Sequence, residues 1–173
     1  MKFSINQAID ILERTPKVIR SLLLNISDDW SSNNEGGETW SPYDVVGHLI
    51  YCEKADWILR AEIILSDNAN KEWEPFDRFA HFEESKGKSL TQLIEEFEQR
   101  RNENLLRLKS KGLNEQDLQK TGIHPAFGMV TLSQLLSTWV VHDLNHIAQI
   151  SRVMAKQYKE EVGPWVAYLK ILQ

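Results

Sequence analysis

The stretch from Thr131 to Tyr158, TLSQLLSTWVVHDLNHIAQISRVMAKQY, constrains this chain more than any other. Leu132, Leu136, Trp139, Ile150 and Val153 recur at the spacing of one helical face, so the stretch reads as a long amphipathic helix. His142 and His146 fall inside that apolar stripe. Four residues along a helix bring two side chains to within roughly 40° of each other on the same face. The two imidazoles are therefore placed to chelate a common partner.

Three further helices complete an all-α four-helix bundle. Ser4 with Gln7, Ser41 with Asp44, Ser89 with Gln92, and Thr131 with Gln134 each have the form of a capping box or a close variant ahead of an apolar-periodic run. The first helix presents Ile5, Ala8, Ile9, Leu12, Ile19, Leu22 and Leu23, with Pro16 expected to kink or restart it after Thr15. Pro42 opens the second, which carries Val45, His48, Leu49, Cys52, Ala55, Leu59 and Ile63 at core spacing. The third runs from Leu90 to a stop at Gly112. A long connection from Ser66 to Lys88 between helices 2 and 3 carries four aromatic residues and is expected to cover an end of the bundle as a lid. A short C-terminal helix over Trp165 to Leu172 is expected to dock on the bundle, and strand signals are absent.

The chain of 173 residues, 42% hydrophobic, suits one domain over residues 1–173 with one sizeable core. A net charge of −5 and a pI near 5.6 provide no basic field, which argues against a nucleic-acid partner. Asn6, Gln7 and Asp10 interrupt the N-terminal segment where a signal peptide needs an apolar run, and no stretch reaches membrane-span length. With Cys52 as the single cysteine, an intramolecular disulfide is impossible and a reducing, cytoplasmic setting is expected.

His48 joins His142 and His146 as an imidazole on a core face. A buried imidazole without hydrogen-bond partners costs roughly 1–3 kcal/mol. Either each ring finds a separate carbonyl or hydroxyl, or the three hold one divalent metal. The i, i+4 pair with a third ring on another helix favours the metal, for which zinc, nickel and iron are suitable ions. His142, Asp143 and His146 depart from the zincin motif because aspartate stands where that motif has glutamate. Asp143 is expected either to orient a ligand imidazole or to be a partly exposed helix carboxylate. Cys52 is expected to be just a small core residue, with approach to the site as the alternative, and Arg101 an ion-paired or snorkelled arginine with substrate binding as the alternative. His81 and His124 fall in loops, where solvated rings are the default. No residue of the motif identifies itself as the catalytic acid or base.

Several segments together resemble the DinB-like (DNA-damage-inducible, YfiT-like) superfamily: Thr15-Pro16, Trp40-Ser41-Pro42 leading into VVGHL with His48, EEFEQRR, HPAFG, WVVHDLNHIAQI and VGPWVAYL. Their order spans nearly the whole chain. The resemblance implies a four-helix bundle, often a homodimer, with a divalent metal on three histidines, which map by position to His48, His142 and His146. It implies small-molecule chemistry: thiol-dependent S-transfer or isomerisation with low-molecular-weight thiols such as bacillithiol or mycothiol, or metal-dependent hydrolysis. It does not imply DNA binding. A non-catalytic bundle that binds metal or a small ligand is the alternative.

Overall fold

The computed structural model describes residues 1–173. Four helical rods form the bundle. The first is α1 (Ile5–Leu12) followed by α2 (Thr15–Leu23), the second α4 (Pro42–Ala55) followed by α5 (Trp57–Leu65), the third α7 (Leu90–Ser110) and the fourth α8 (Leu132–Lys156). Short helices α3 (Asp28–Ser32) and α6 (Ala80–Ser85) lie in the connections.

Local chemistry accounts for the ends of these rods. Ser41, Ser89 and Thr131 form reciprocal capping boxes with Asp44, Gln92 and Gln134, which satisfies backbone N–H groups that the first helical turn leaves unpaired. Ser4 makes no side-chain cap, so the fourth expected box does not form. Pro16 sits in the first turn of α2, where its missing N–H is harmless, and α1 stops before it. Gly112, at φ +55°, ends the third rod as expected. The second rod is not continuous: Asp56, at φ −122° and ψ −91°, separates α4 from α5.

α2 and α4 pack on α7, while α1 and α5 pack on α8, which leaves α7 and α8 facing each other diagonally across the bundle. The buried apolar residues form two clusters. Ile19, Val45, Leu49, Leu93, Phe97 and Ile150 belong to one, and Leu12, Ile58, Leu105, Leu108, Leu132 and Trp139 to the other. The second and third rods both run from the first cluster to the second, so they point the same way, and the fourth runs back. Two successive parallel rods need a crossover along the bundle, and the Ser66 to Lys88 connection supplies it.

Two features depart from the sequence expectation. Thr121–His124 (β1) and Gly128–Thr131 (β2) form an antiparallel hairpin, with Thr121 opposite Thr131. These strands are only four residues each, too short for a periodicity to register. Ile123 also pairs with the crossover: its N–H donates to the Lys71 carbonyl at 2.9 Å, and the Trp73 N–H donates to its carbonyl at 3.2 Å. Gly122 permits this packing, since a Cβ there would lie 2.9 Å from Ile64 Cγ1 and 3.2 Å from the Trp73 ring. The expected C-terminal helix is two short 3₁₀ turns, Gly163–Tyr168 and Lys170–Leu172, and not one continuous helix; the second docks on α8 with Leu172 buried, while Trp165 is exposed.

Candidate metal centre

Between the two apolar clusters lies a polar layer. His48 projects from α4, and His142 and His146 project from two successive turns of α8, which packs against α4. The Nε2 atoms converge: His48 to His142 is 3.1 Å and His142 to His146 is 3.1 Å. All three ligand atoms lie within 4.8 Å of one another. His48 and His146 are buried and His142 half-buried. Burial, reinforced by the neighbouring imidazoles, depresses His48 to about 2 and His142 to about 3, and burial also lowers His146. The rings are therefore neutral at physiological pH, the form in which imidazole donates a lone pair to a metal.

Proton placement tests the fit to a cation. Gln149 Oε1 lies 2.8 Å from His146 Nδ1. An amide oxygen only accepts, so the network assigns the proton to Nδ1 and leaves His146 Nε2 bare. A single proton on His142 Nε2 can satisfy one of its two 3.1 Å contacts, and the other is then unsatisfied. A cation at the centre satisfies both. Tetrahedral bonds of 2.0–2.1 Å to imidazole place neighbouring nitrogens about 3.3 Å apart, which the two 3.1 Å pairs approach, while the His48 and His146 nitrogens lie within 4.8 Å of each other. His48 Nδ1 and His142 Nδ1 have no protein partner, so of the three rings only His146 carries an orienting hydrogen bond.

A sequence model of the DinB superfamily matches residues 11–150. The chain belongs to the DinB superfamily. A solved structure, YfiT from Bacillus subtilis, superposes with a TM-score of 0.73 at 20% identity, covering 93% of this chain and 90% of that one. That protein is described as a probable metal-dependent hydrolase with an unusual four-helix bundle topology, and the likeness shows the shared fold. Among curated proteins, none matched the sequence significantly.

Other groups at the centre of this DinB superfamily member are now placed. Cys52 Sγ lies 3.4 Å from His48 Nε2 and 3.9 Å from His142 Nε2, and burial raises its thiol well above the ordinary value. Asp143 is not a partly exposed carboxylate, nor does it touch an imidazole. It is fully buried, and its oxygens accept from Arg101 at 2.5 and 3.0 Å. The reason is angular: Asp143 lies about 100° around α8 from His142 and faces the bundle axis. Arg101 is the ion-paired arginine expected, although what it joins was not legible.

Glu53 Oε1 accepts from Arg101 Nε and Nη2, at 2.9 and 2.8 Å, and from Trp139 Nε1 at 3.2 Å. Asn104 Nδ2 donates to Glu53 Oε2 at 2.9 Å, and Arg101 Nη1 donates to the Leu12 carbonyl at 3.0 Å. Glu53 and Asn104 were missed at the level of sequence. The available signal was an acidic residue one turn after Leu49 on the second rod, matched by a basic residue at core spacing on the third rod.

His81 corrects another expectation. It lies on α6 and is wholly buried, 5.5 Å from the His48 ring and 4.7 Å from the Trp40 ring by centroid, with neither nitrogen hydrogen-bonded. The crossover brings it there, which no local pattern could show. His124 ends β1 beside the hairpin turn, where its Nδ1 accepts from the Ala126 and Phe127 N–H groups at 3.0 and 3.3 Å. Over the three histidines opens a cavity of about 1050 Å³, walled by α4, α5 and α8 and by aromatic residues of the crossover and hairpin. The crossover lines this cavity between the two clusters, and not an end of the bundle, with Phe76 edge-on to His48.

Proposed function

We propose that this protein is an enzyme that holds a divalent metal, zinc or nickel in preference to iron, on His48, His142 and His146, and that it acts on a small molecule. The observation that carries this reading is the convergence of three neutral Nε2 atoms whose two 3.1 Å contacts protons alone leave half unsatisfied. Bound there, the metal supplies a water or thiol of lowered pKa as a nucleophile near neutral pH. His146 is held in the donating tautomer by Gln149. Asp143 is occupied by Arg101 and offers no base at the centre. The Cys52 thiol is buried and neutral, so it is a poor mobile nucleophile.

A reaction that brings its own low-molecular-weight thiol needs neither group, and the cavity has room for one. Thiol S-transfer is therefore preferred over hydrolysis. Exposed Val141 and Leu144 on the outer face of α8 support a homodimer. The polar layer shared by all four rods supports one domain over residues 1–173, and the unpaired Cys52 supports a cytoplasmic setting.

The first test is metal analysis of protein purified without nickel resin. Alanine at His48, His142 or His146 should remove most of the metal, while His124→Ala should retain it; equal loss from His124→Ala would show that the wrong set was chosen. The second offers 1-chloro-2,4-dinitrobenzene with bacillithiol, glutathione or cysteine, alongside ester and amide panels. Metal-dependent hydrolysis without thiol, and no conjugation, would reverse the preference. Metal binding with no turnover across both panels would favour the non-catalytic bundle.

A further inference from the structure

The cavity continues past the three histidines along the second rod, and its wall carries His48, Cys52, Asp56 and Arg60 at intervals of four residues. Arg60 is only 8% exposed. A buried guanidinium needs acceptors for its five N–H donors. Arg101, fully buried, has them in Glu53, Asp143 and the Leu12 carbonyl. Arg60 makes no side-chain hydrogen bond within the protein, and what remains exposed of it faces the cavity. Its Nη1 comes within 2.9 Å of Asp56 Oδ1, but the approach is not aligned, and that oxygen is left without a hydrogen bond. The guanidinium lies over the Trp73 ring at 5.0 Å, which fixes its plane at the cavity wall. The other arginines of the cavity differ: Arg152 is taken by Glu35 through bonds of 2.9 and 2.8 Å, and Arg78 is exposed.

We propose that Arg60 anchors a carboxylate of the small molecule on which the three-histidine centre acts, making that substrate an organic monoanion with an aromatic or apolar body. This rests on reading the centre as that of an enzyme. The planar fork of a guanidinium matches a carboxylate bidentately. Asp56 already balances one charge, which disfavours a phosphate dianion at the same place. Trp57, Trp73, Phe76 and Phe127 line the space between and supply the apolar surface.

Calorimetric titration of the zinc-loaded protein with benzoate, and with benzamide as its uncharged counterpart, tests the anchor. Benzoate should bind saturably and benzamide should not. Arg60→Gln should weaken benzoate about tenfold or more, the loss expected of a charge-assisted hydrogen bond. Asp56→Asn should tighten it by removing the competing carboxylate. Metal-stripped protein should still bind benzoate, because Arg60 is no ligand of the metal. Absence of benzoate binding, equal binding of benzamide, or an Arg60→Gln variant that binds like the wild type overturns the anchor. Binding that disappears with the metal and ignores Arg60→Gln also overturns it, since the carboxylate then sits on the metal. Should circular dichroism show Arg60→Gln unfolded, Asp56→Asn decides, and unchanged or weaker benzoate affinity there is the negative result. Failure of the metal assignment is recognised separately, as benzoate binding retained in a protein that takes up no zinc.

Discussion

Arg101 is the residue at which the four rods meet. Its guanidinium reaches Glu53 on the second, Asp143 on the fourth and the Leu12 carbonyl on the first, and it stacks between Phe97 and Trp139 with ring distances of 5.0 and 5.1 Å. Burial pushes the Glu53 carboxyl up, and the Arg101 charge opposes that push. Removing the cation strands two carboxylates without solvent. Arg101→Leu should therefore destabilise the protein by about 3–5 kcal/mol in urea denaturation. Replacing Glu53, Arg101 and Asp143 together by apolar residues should destabilise it far less, and an equal loss in both would mean that Arg101 contributes by packing rather than charge. The spacing of Arg101 in its stripe marked it as unusual. Its partners come from chain segments 42 and 48 residues away, a distance no local pattern bridges.

At the scale of the elements, a motif in the sequence and a motif in the fold are different things. Ser41 Oγ accepts from the Asp44 N–H at 3.2 Å, and Asp44 Oδ2 accepts from the Ser41 N–H at 2.9 Å. Ser4 has the same sequence form with Gln7 and makes no such bond. Ser41→Ala should therefore cost about 1 kcal/mol, the usual penalty for losing a cap, and Ser4→Ala only a few tenths. Chemical denaturation of the two variants side by side is the measurement, and equal losses would contradict the difference in capping. The hairpin and α6 were illegible for a related reason. Both are short and are held in place by the crossover, with periods too few to be read.

For the whole molecule, the connection between the first and second rods is fastened to the fourth at the cavity rim. Glu35 accepts from Arg152 through both carboxylate oxygens and pairs with Lys156 at 2.9 Å. The Arg152 hydrogen bond in particular lowers its carboxyl from 4.5 to about 2. A carboxyl depressed in the folded state contributes stability that is fully present above its unfolded value, here 4.5, and is lost as pH falls towards about 2. Glu35→Gln should thus melt below the wild type at pH 7, with the difference shrinking as pH drops from 4.5 towards 2. Melting curves across that range check the sign. A difference that grows on acidification would show that the pair is not what Glu35 contributes.

Helical periodicity, capping residues and the position of Pro16 and Gly112 specify the four rods by themselves, because these signals act within a few residues along the chain. The same periodicity singled out His48, His142 and His146 as imidazoles on core faces. Tertiary structure alone decided that the second and third rods run parallel, that a crossover buries His81 behind His48, and that Asp143 turns to Arg101 and away from the imidazoles. It also placed Arg60, which no sequence pattern singled out, in the wall of a cavity. Whether a charge faces water or a cavity depends on which rod lies opposite, and that is settled by packing between segments far apart in the chain.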